Sequence, residues 1–438
     1  MPKKNKINAD TKNQTRFWLI ALCLLALLLS ACDVQSPPLQ TTPTPSSTLK
    51  PILDEVYTPE PTPLPPSATP TATFTVTLPH TATPTPKTIA AELVPITQIQ
   101  LKSPHYAWGS DLQQRRVFRS EDSGTTWKEV TPPDSVNGDY YSGATMFLGA
   151  NEAWLLVSKS DETSVLFHTT DAGVSWDKVE LAFPGGQMSF IRVEGAKAAT
   201  GVIMADLGVG AGSQWVALYA TSDSGKTWTQ TFTHTPGEGD ASLPAGGIKS
   251  SMTYDGKNDL WITGSVPVDN FLYLYHSTDL GKNWVAQTCE MQQIAESVMY
   301  ETYKPLWITP DVGILPIRVF YGSTEMKTVF CHTTNHGADW QFLSILEENN
   351  IQHFFDSEHG WVGSSNRLLR TIDGGHTWQD LSAALPVGES VVSLDFGTSD
   401  IGVLITSPSN FNNLDENKLY LSIDSGTSWS LLPTLLEP

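Results

Sequence analysis

Seven recurring acid-position residues have the most evident chemical potential in this 438-residue chain. Asp122, Asp171, Asp223, Asp279, Asn335, Asp373 and Asp424 each follow a Ser or Thr by two residues and precede a Gly by two and a Trp by five. Carboxylates could serve general acid–base chemistry, for which glycoside hydrolysis needs two of them about 5–9 Å apart. Their company points instead to turns. A hydroxyl and a carboxylate two residues apart can both bond nearby backbone N–H groups and fix a tight turn. The Gly accepts a positive φ at little cost. The Trp that follows (Trp127, Trp176, Trp228, Trp284, Trp340, Trp378 and Trp429) opens the next strand and buries a large ring. The fifth copy departs twice, with Asn335 for Asp and Asp339 where Thr or Ser usually sits. A similar turn, held less firmly, is expected there.

The elements that position these turns repeat with them. The steps between acid positions are 49, 52, 56, 56, 38 and 51 residues, a period typical of blade-by-blade arrays. Before each copy lies an aromatic or Gly-led strand, such as Ala107-Trp108-Gly109-Ser110 or Gly360-Trp361-Val362-Gly363. Another strand runs from there to the copy, as in Val165-Leu166-Phe167-His168, and the Trp leads a further one. With an upstream strand such as Thr145-Met146-Phe147-Leu148, each unit holds four short strands. The fold expected is all-β: a seven-bladed β-propeller with four-stranded blades, closed radially. The first and last units both look complete, so closure without a swapped strand is possible, and the sequence does not decide it.

The eight-residue phrase, as in residues 120–127, resembles the Asp-box, or bacterial neuraminidase repeat. That resemblance implies a turn between the third and fourth strands of a propeller blade. Residues 355–378, with Gly360-Trp361-Val362-Gly363 leading to Thr371-Ile372-Asp373-Gly374-Gly375, resemble the propellers of photosystem II stability and assembly factors. The likeness covers about residues 97–432, and most units match only at the box and the preceding strand. It implies a non-enzymatic binder of protein partners, in some members lipid-anchored. The basic surface characteristic of that family is not evident here.

The N-terminal segment reads as an address. Lys3, Lys4, Lys6, Lys12 and Arg16 precede an apolar stretch, residues 17–29, that is short for a membrane span. Leu29-Ser30-Ala31-Cys32 resembles the bacterial lipobox, which implies cleavage before Cys32 and lipidation of its thiol. Residues 1–31 are thus expected to be a lipoprotein signal. Residues 32–90 are expected to be the lipidated Cys and a disordered Pro/Thr-rich linker. Residues 33–90 hold 14 of the 30 prolines and cannot bury a core. Fully extended, this linker would reach roughly 180 Å at about 3.1 Å per residue. Residues 91–438 form the propeller.

Formal net charge is −20, and about −24 without residues 1–31. Such acidity argues against nucleic acid and against docking on anionic lipid beyond the anchor. Cys289 and Cys331 remain in the oxidising compartment that a secreted chain implies, and they could form a disulfide or stay two small buried hydrophobes. No metal site is expected: His332 adjoins Cys331, but neighbours on a strand face opposite ways and no full set of four ligands is apparent. His168, His276 and His332 share one place on the third strand, which suits blade packing better than catalysis. No cofactor is expected.

An enzymatic alternative is a glycoside hydrolase, sialidase-like or xyloglucanase-like, using loop-face carboxylates. The Arg-Ile-Pro phrase usual in sialidases is missing, and Arg119 and Arg370 ride the third strand rather than the axis. Acids on the loop face include Asp134, Asp139, Asp161, Glu162, Glu238, Asp240, Asp269, Asp415 and Glu416, with Tyr140, Tyr141 and Phe271 able to stack on sugar. Asp139, Asp269, Tyr140 and Tyr141 are the candidate ligand face. Their loops suit adaptable recognition better than a preorganised acid–base pair. The reading is therefore a lipid-anchored extracytoplasmic scaffold at the bacterial envelope or cell surface. It has no catalytic residues, is expected to be a monomer, and binds a protein or a cell-envelope glycan.

Overall fold

A computed structural model describes residues 96–436 apart from 112–114, 137–139, 238–240, 269, 292–293, 295–297, 322–324, 348–350, 387, 409–416 and 434. The chain divides into two units, Met1–Ala82 and Thr83–Pro438, and every described residue lies in the second. Cys32 and the expected signal and linker fall outside the described residues.

The all-β expectation holds: the one helical element among the described residues is a 3-10 turn, Ser382–Ala384. Each repeat folds as an antiparallel four-stranded meander. The first is Gln98–Leu101, Ala107–Ser110, Val117–Ser120 and Thr126–Glu129. The second is Tyr140–Leu148, Glu152–Lys159, Ser164–Thr169 and Asp177–Leu181, and the third runs from Gly186–Ile191 to Thr229–His234. The fourth, from Ile248–Tyr254 to Val285–Ala286, joins the fifth through the pair Ser265↔Glu301. In the fifth the first strand is split into Met299–Thr302 and Leu306–Trp307, both paired with Gly313–Tyr321. The sixth spans Ile351–Phe354 to Gln379–Asp380 and the seventh Glu389–Phe396 to Ser430–Leu431.

Apolar side chains pack between consecutive meanders, not within one. Trp108, Val117 and Val130 of the first cluster with Phe147, Leu155 and Phe167 of the second. Trp154 and Leu166 of the second meet Phe190 and Ile203 of the third. A further cluster joins Val403, Ile405 and Leu419 of the last meander to Ile99, Leu101 and Trp127 of the first. The backbone N–H groups of Ile99 and Leu101 also donate to Ser393 Oγ (3.3 Å) and Asp395 Oδ2 (2.6 Å). At the outer side, Leu435–Leu436 pairs parallel with Thr126–Trp127. The first and last meanders are thus fastened at both inner and outer strands, and each keeps its own four strands.

Second-strand tryptophans carry a motif the repeat alone did not reveal. Trp108, Trp154, Trp261 and Trp361 are all fully buried. Each is the cross-strand partner of an Arg or His on the third strand: Arg119, His168, His276 and Arg370. His168 stacks on Trp154 at 4.4 Å and His276 on Trp261 at 4.5 Å, while the Arg119 and Arg370 guanidinium groups lie 5.2 and 5.8 Å from their rings. Such ring and cation stacking covers the Trp face. Where the second-strand residue is Val202 or Val403, its partner is Ala220 or Leu421.

Candidate functional site

The box acids are consumed by their own turns. In the second box Thr169 Oγ1 donates to Asp171 Oδ1 (2.8 Å) and accepts from the N–H of Gly173 (3.0 Å). Asp171 Oδ1 accepts from the N–H of Ser175 (2.9 Å), and Oδ2 from its hydroxyl (2.6 Å). The first, third, sixth and seventh boxes repeat this pattern around Asp122, Asp223, Asp373 and Asp424. These donors stabilise the ionised carboxyls, and Asp171, Asp373 and Asp424 are held down at about 2. The residue before the box Gly also has positive φ (Ser123 at 62°, Leu280 at 60°), a strained state for side chains other than Gly. Its N–H donates to a carbonyl in the turn between the first two strands of the same meander, as Ala172 does to Asn151 at 2.9 Å. That tertiary bond holds the turn where local preference would not.

Box tryptophans divide by burial. Trp127, Trp284 and Trp340 are buried, whereas Trp176, Trp228, Trp378 and Trp429 are half-buried. Trp127 and Trp284 donate Nε1–H to the box Gly carbonyl at 2.8 and 2.7 Å. Trp176 instead donates to the carbonyl of Val130 in the preceding meander (2.8 Å). Cys289 and Cys331 are disulfide-bonded, 42 residues apart in sequence.

Of the candidate ligand face, Tyr140 pairs with Lys159 across the ladder, and its carbonyl accepts from Arg115 Nη1 (2.6 Å). Tyr141 lies in the same strand. Asp139 and Asp269 lie outside the described residues. So do Glu238, Asp240, Asp415 and Glu416. Asp134 faces Lys178 at 3.6 Å, and Asp161 closes a turn by accepting from the N–H of Thr163 (3.1 Å). The structure brings Tyr140 and Asp134 to one neighbourhood, through Lys159, Lys178 and Glu180, which pair with one another.

That neighbourhood borders an open hollow of about 840 Å³ between the first and second meanders. Its lining includes Lys128, Pro132, Pro133, Val174, Trp176 and Lys178, and Val174 is 81% exposed. The chain leaving the first meander borders it. At two other junctions the departing segment adds parallel to the outer strand of another meander: Cys289–Glu290 on Trp340–Gln341, and Leu435–Leu436 on Thr126–Trp127. Here the departing segment carries Pro132-Pro133, which offer no N–H for such pairing. Among the described residues no strand covers the outer side of Asp177–Leu181. Paired prolines at this position are the sequence signal that goes with it.

Two carboxylates in and beside the groove, Glu129 and Glu180, are paired with basic side chains. Arg116 bonds the Glu129 carboxyl and holds it below the usual range, and Lys159 does the same for Glu180. Every described carboxyl with a displaced pKa is displaced downward, including Glu152, where bonds from His168 and Arg192 outweigh desolvation. Glycoside hydrolysis by an acid and base requires one carboxyl raised to keep its proton. Inside the fold, burial lowers the Lys102 ammonium, which also feels the attraction of Asp395 and the repulsion of Lys304.

A family model described as photosynthesis system II assembly factor YCF48 matches residues 95–249. The photosystem II stability/assembly factor HCF136 of Oryza sativa subsp. japonica is 22% identical over 309 residues, covering 65% of this chain and 70% of that protein. The chain resembles photosystem II stability and assembly factors. The photosystem II assembly lipoprotein Ycf48 of Parasynechococcus marenigrum is 44% identical over 64 residues, 14% of this chain and 19% of that one. A xyloglucanase of Hypocrea jecorina is 25% identical over 248 residues, 49% of this chain but 28% of the enzyme. The resemblance to assembly-factor propellers read from the box and its preceding strand is thereby borne out.

Proposed function

We propose that this protein is a lipid-anchored, extracytoplasmic assembly scaffold. In this reading residues 91–438 are a closed seven-bladed propeller, residues 32–90 a spacer, and Cys32 the lipidated residue after removal of residues 1–31. Its partner is a protein, a segment of which occupies the groove between the first and second blades. The carrying observation is that groove: open, mixed in charge, floored by exposed Val174 and by Pro132-Pro133, and bordered by an uncovered outer strand. An extended partner segment could lie along such an edge, as Cys289–Glu290 and Leu435–Leu436 do within the molecule. Relatives named as assembly factors, one of them a lipoprotein, support the mode of action and the anchor.

The test uses the full chain in its native membrane, with a photo-crosslinking amino acid at Val174 and, separately, at the exposed His376 of the sixth box. A discrete protein adduct at Val174, absent at His376, is expected. Equal labelling at both positions would remove the groove from the proposal. An aryl-glycoside and xyloglucan panel tests the enzymatic alternative. Turnover abolished by one Asp or Glu substitution with folding intact would establish a glycosidase instead.

A further inference from the structure

Away from that groove, three metal-ligating atoms from two consecutive meanders face one another. Asp255 and Asp259 flank the turn between Ile248–Tyr254 and Leu260–Ser265 of the fourth meander. His336 comes from the fifth box, where it holds the positive-φ position (57°). His336 Nε2 lies 3.7 Å from Asp255 Oδ2 and 4.0 Å from Asp259 Oδ2. One atom from each residue lies within 4.8 Å of the other two. The Asp255 side chain is 11% exposed and the His336 side chain 33%, so the cluster is recessed but reachable.

The second atom of each ligand is already engaged elsewhere. Asp255 Oδ1 accepts from the N–H groups of Lys257 (2.8 Å) and Asp259 (3.0 Å). Asp259 Oδ1 faces Nε2 of His276 at 2.7 Å, and His276 is stacked on the buried Trp261. His336 Nδ1 lies against the Pro310 carbonyl oxygen, which can only accept, so Nδ1 carries a proton. Nε2 is then the His336 nitrogen that faces the two carboxylate oxygens. Three potential ligand atoms thus converge, each residue fixed by a partner on its far side. Outer partners that orient ligating atoms in this way are characteristic of metal sites.

We propose that Asp255, Asp259 and His336 bind one divalent transition metal ion of the zinc class. Bonds of about 2.0–2.2 Å to nitrogen and oxygen place tetrahedral ligands about 3.4 Å apart. The two nitrogen–oxygen distances, 3.7 and 4.0 Å, therefore need to close by about 0.3 and about 0.6 Å. Two carboxylates neutralise the ion, and a fourth position is left for water. Calcium, which takes six to eight oxygens, is disfavoured by the imidazole and the low ligand count. The sequence held no sign of such a site, because its ligands come from two repeats and no short-spaced motif joins them. The ion would fasten the fifth box to the turn of the preceding meander. This inference stands apart from the groove and from the partner proposed for it.

The experiment is calorimetric titration of the metal-stripped full chain in detergent with Zn²⁺, alongside Co²⁺ absorption spectra. The variants are His336→Asn, which keeps a residue tolerant of positive φ, and Asp255→Asn, which keeps the Oδ1 acceptor for the turn. His376→Asn is the control. The wild type and the control are expected to bind one more Zn²⁺ equivalent than either variant, or to bind it at least 100-fold more tightly. Zn²⁺ should raise the melting temperature of the wild type and not of the two variants, and the four-coordinate Co²⁺ band should vanish in both. Unchanged stoichiometry and affinity in both variants would overturn the site. So would absence of saturable Zn²⁺ binding in the wild type, leaving a protonated His336 paired with the two carboxylates. Melting in chelator checks that each variant is folded, and either variant alone suffices.

Discussion

Boxes four and five hold the same turn with opposite polarity. In box four the carboxylate comes first: Asp279 Oδ2 accepts from Asn283 Nδ2 at 2.7 Å, and its Oδ1 accepts from the N–H of Asn283 at 2.8 Å. In box five the amide comes first: Asn335 Nδ2 donates to Asp339 Oδ2 at 3.0 Å, and its Oδ1 accepts from the N–H of Asp339 at 3.1 Å. The leading hydroxyls are used identically. Ser277 Oγ accepts from the N–H of Gly281 at 2.9 Å, and Thr333 Oγ1 from that of Gly337 at 3.0 Å. Both boxes place two successive residues at positive φ, Leu280–Gly281 and His336–Gly337. The turn is thus specified by the hydroxyl, the paired positive-φ residues and the tertiary bond to the neighbouring turn. The carboxylate strengthens the network and can change places with its partner. A residue that can move four positions while the turn persists is structural, not a reacting group.

Burial should outweigh polarity when a box is broken. Trp340 of box five is 3% exposed and Trp284 of box four 5%. Either Trp→Ala should cost ~3–5 kcal/mol, read from the denaturation midpoint. The half-buried Trp378 of box six should cost clearly less. Equal losses at all three would show that the turn, not the ring's burial, sets the contribution.

Box five has a fastening that box four lacks. Cys289–Glu290, leaving the fourth meander, pairs with Trp340–Gln341 and carries the disulfide to Cys331. With the cysteines 42 residues apart in sequence, restriction of the unfolded chain is worth ~2–4 kcal/mol. Cys289→Ala with Cys331→Ala should lower the midpoint by that amount and open the segment around Trp340 to proteolysis first. Cleavage that starts elsewhere would mean the parallel strand holds without the bond.

These comparisons also mark what the sequence could convey. The box recurs in one phrase because its hydrogen bonds close within eight residues, so local spacing reveals it. The four strands per repeat follow from the same period. The positive φ of Ser123, Ala172 or Leu280 does not follow, since the bond that fixes it comes from another turn of the meander. The Trp–His and Trp–Arg stacks were half visible, as a shared third-strand position without its ring partner. The groove depended on register: the missing N–H groups of Pro132 and Pro133 matter only beside the Asp177–Leu181 edge. Asp255, Asp259 and His336 are joined only by the packing of two meanders.

Restoring the usual acid to box five should harm it. Asn335→Asp would set a carboxylate against Asp339, whose Oδ2 now accepts from the Asn335 amide at 3.0 Å. Both side chains are solvent-exposed, so the expected loss is only about 0.5–1 kcal/mol, shrinking with added salt. Asp339→Thr in the same chain should recover it by supplying the hydroxyl found in box six. A double-mutant cycle measures the coupling. Failure of Asp339→Thr to rescue would show that box five depends on its reversed polarity for another reason.

The smallest effect at neutral pH becomes visible in acid. Asp171 and Asp373 are held at about 2, chiefly by the hydroxyls of Ser175 and Thr377, and Asp424 reaches about 2 against desolvation through Ser428. Their ordinary value is 3.8. A carboxyl depressed in the folded state contributes stability that is present above the unfolded value and is lost as pH falls through the folded one. The window is therefore about pH 4 down to about pH 2. Melting temperature should fall across it, and Asp373→Asn should make that fall shallower while lowering the plateau at pH 6 slightly. Asn335→Gln in box five, which exchanges one amide for another, is the control and should leave the acid slope unchanged. If Asp373→Asn leaves the slope as steep as in the wild type, the box carboxylates are not the groups that acid unfolding protonates, and the polarity difference between the boxes is without thermodynamic consequence.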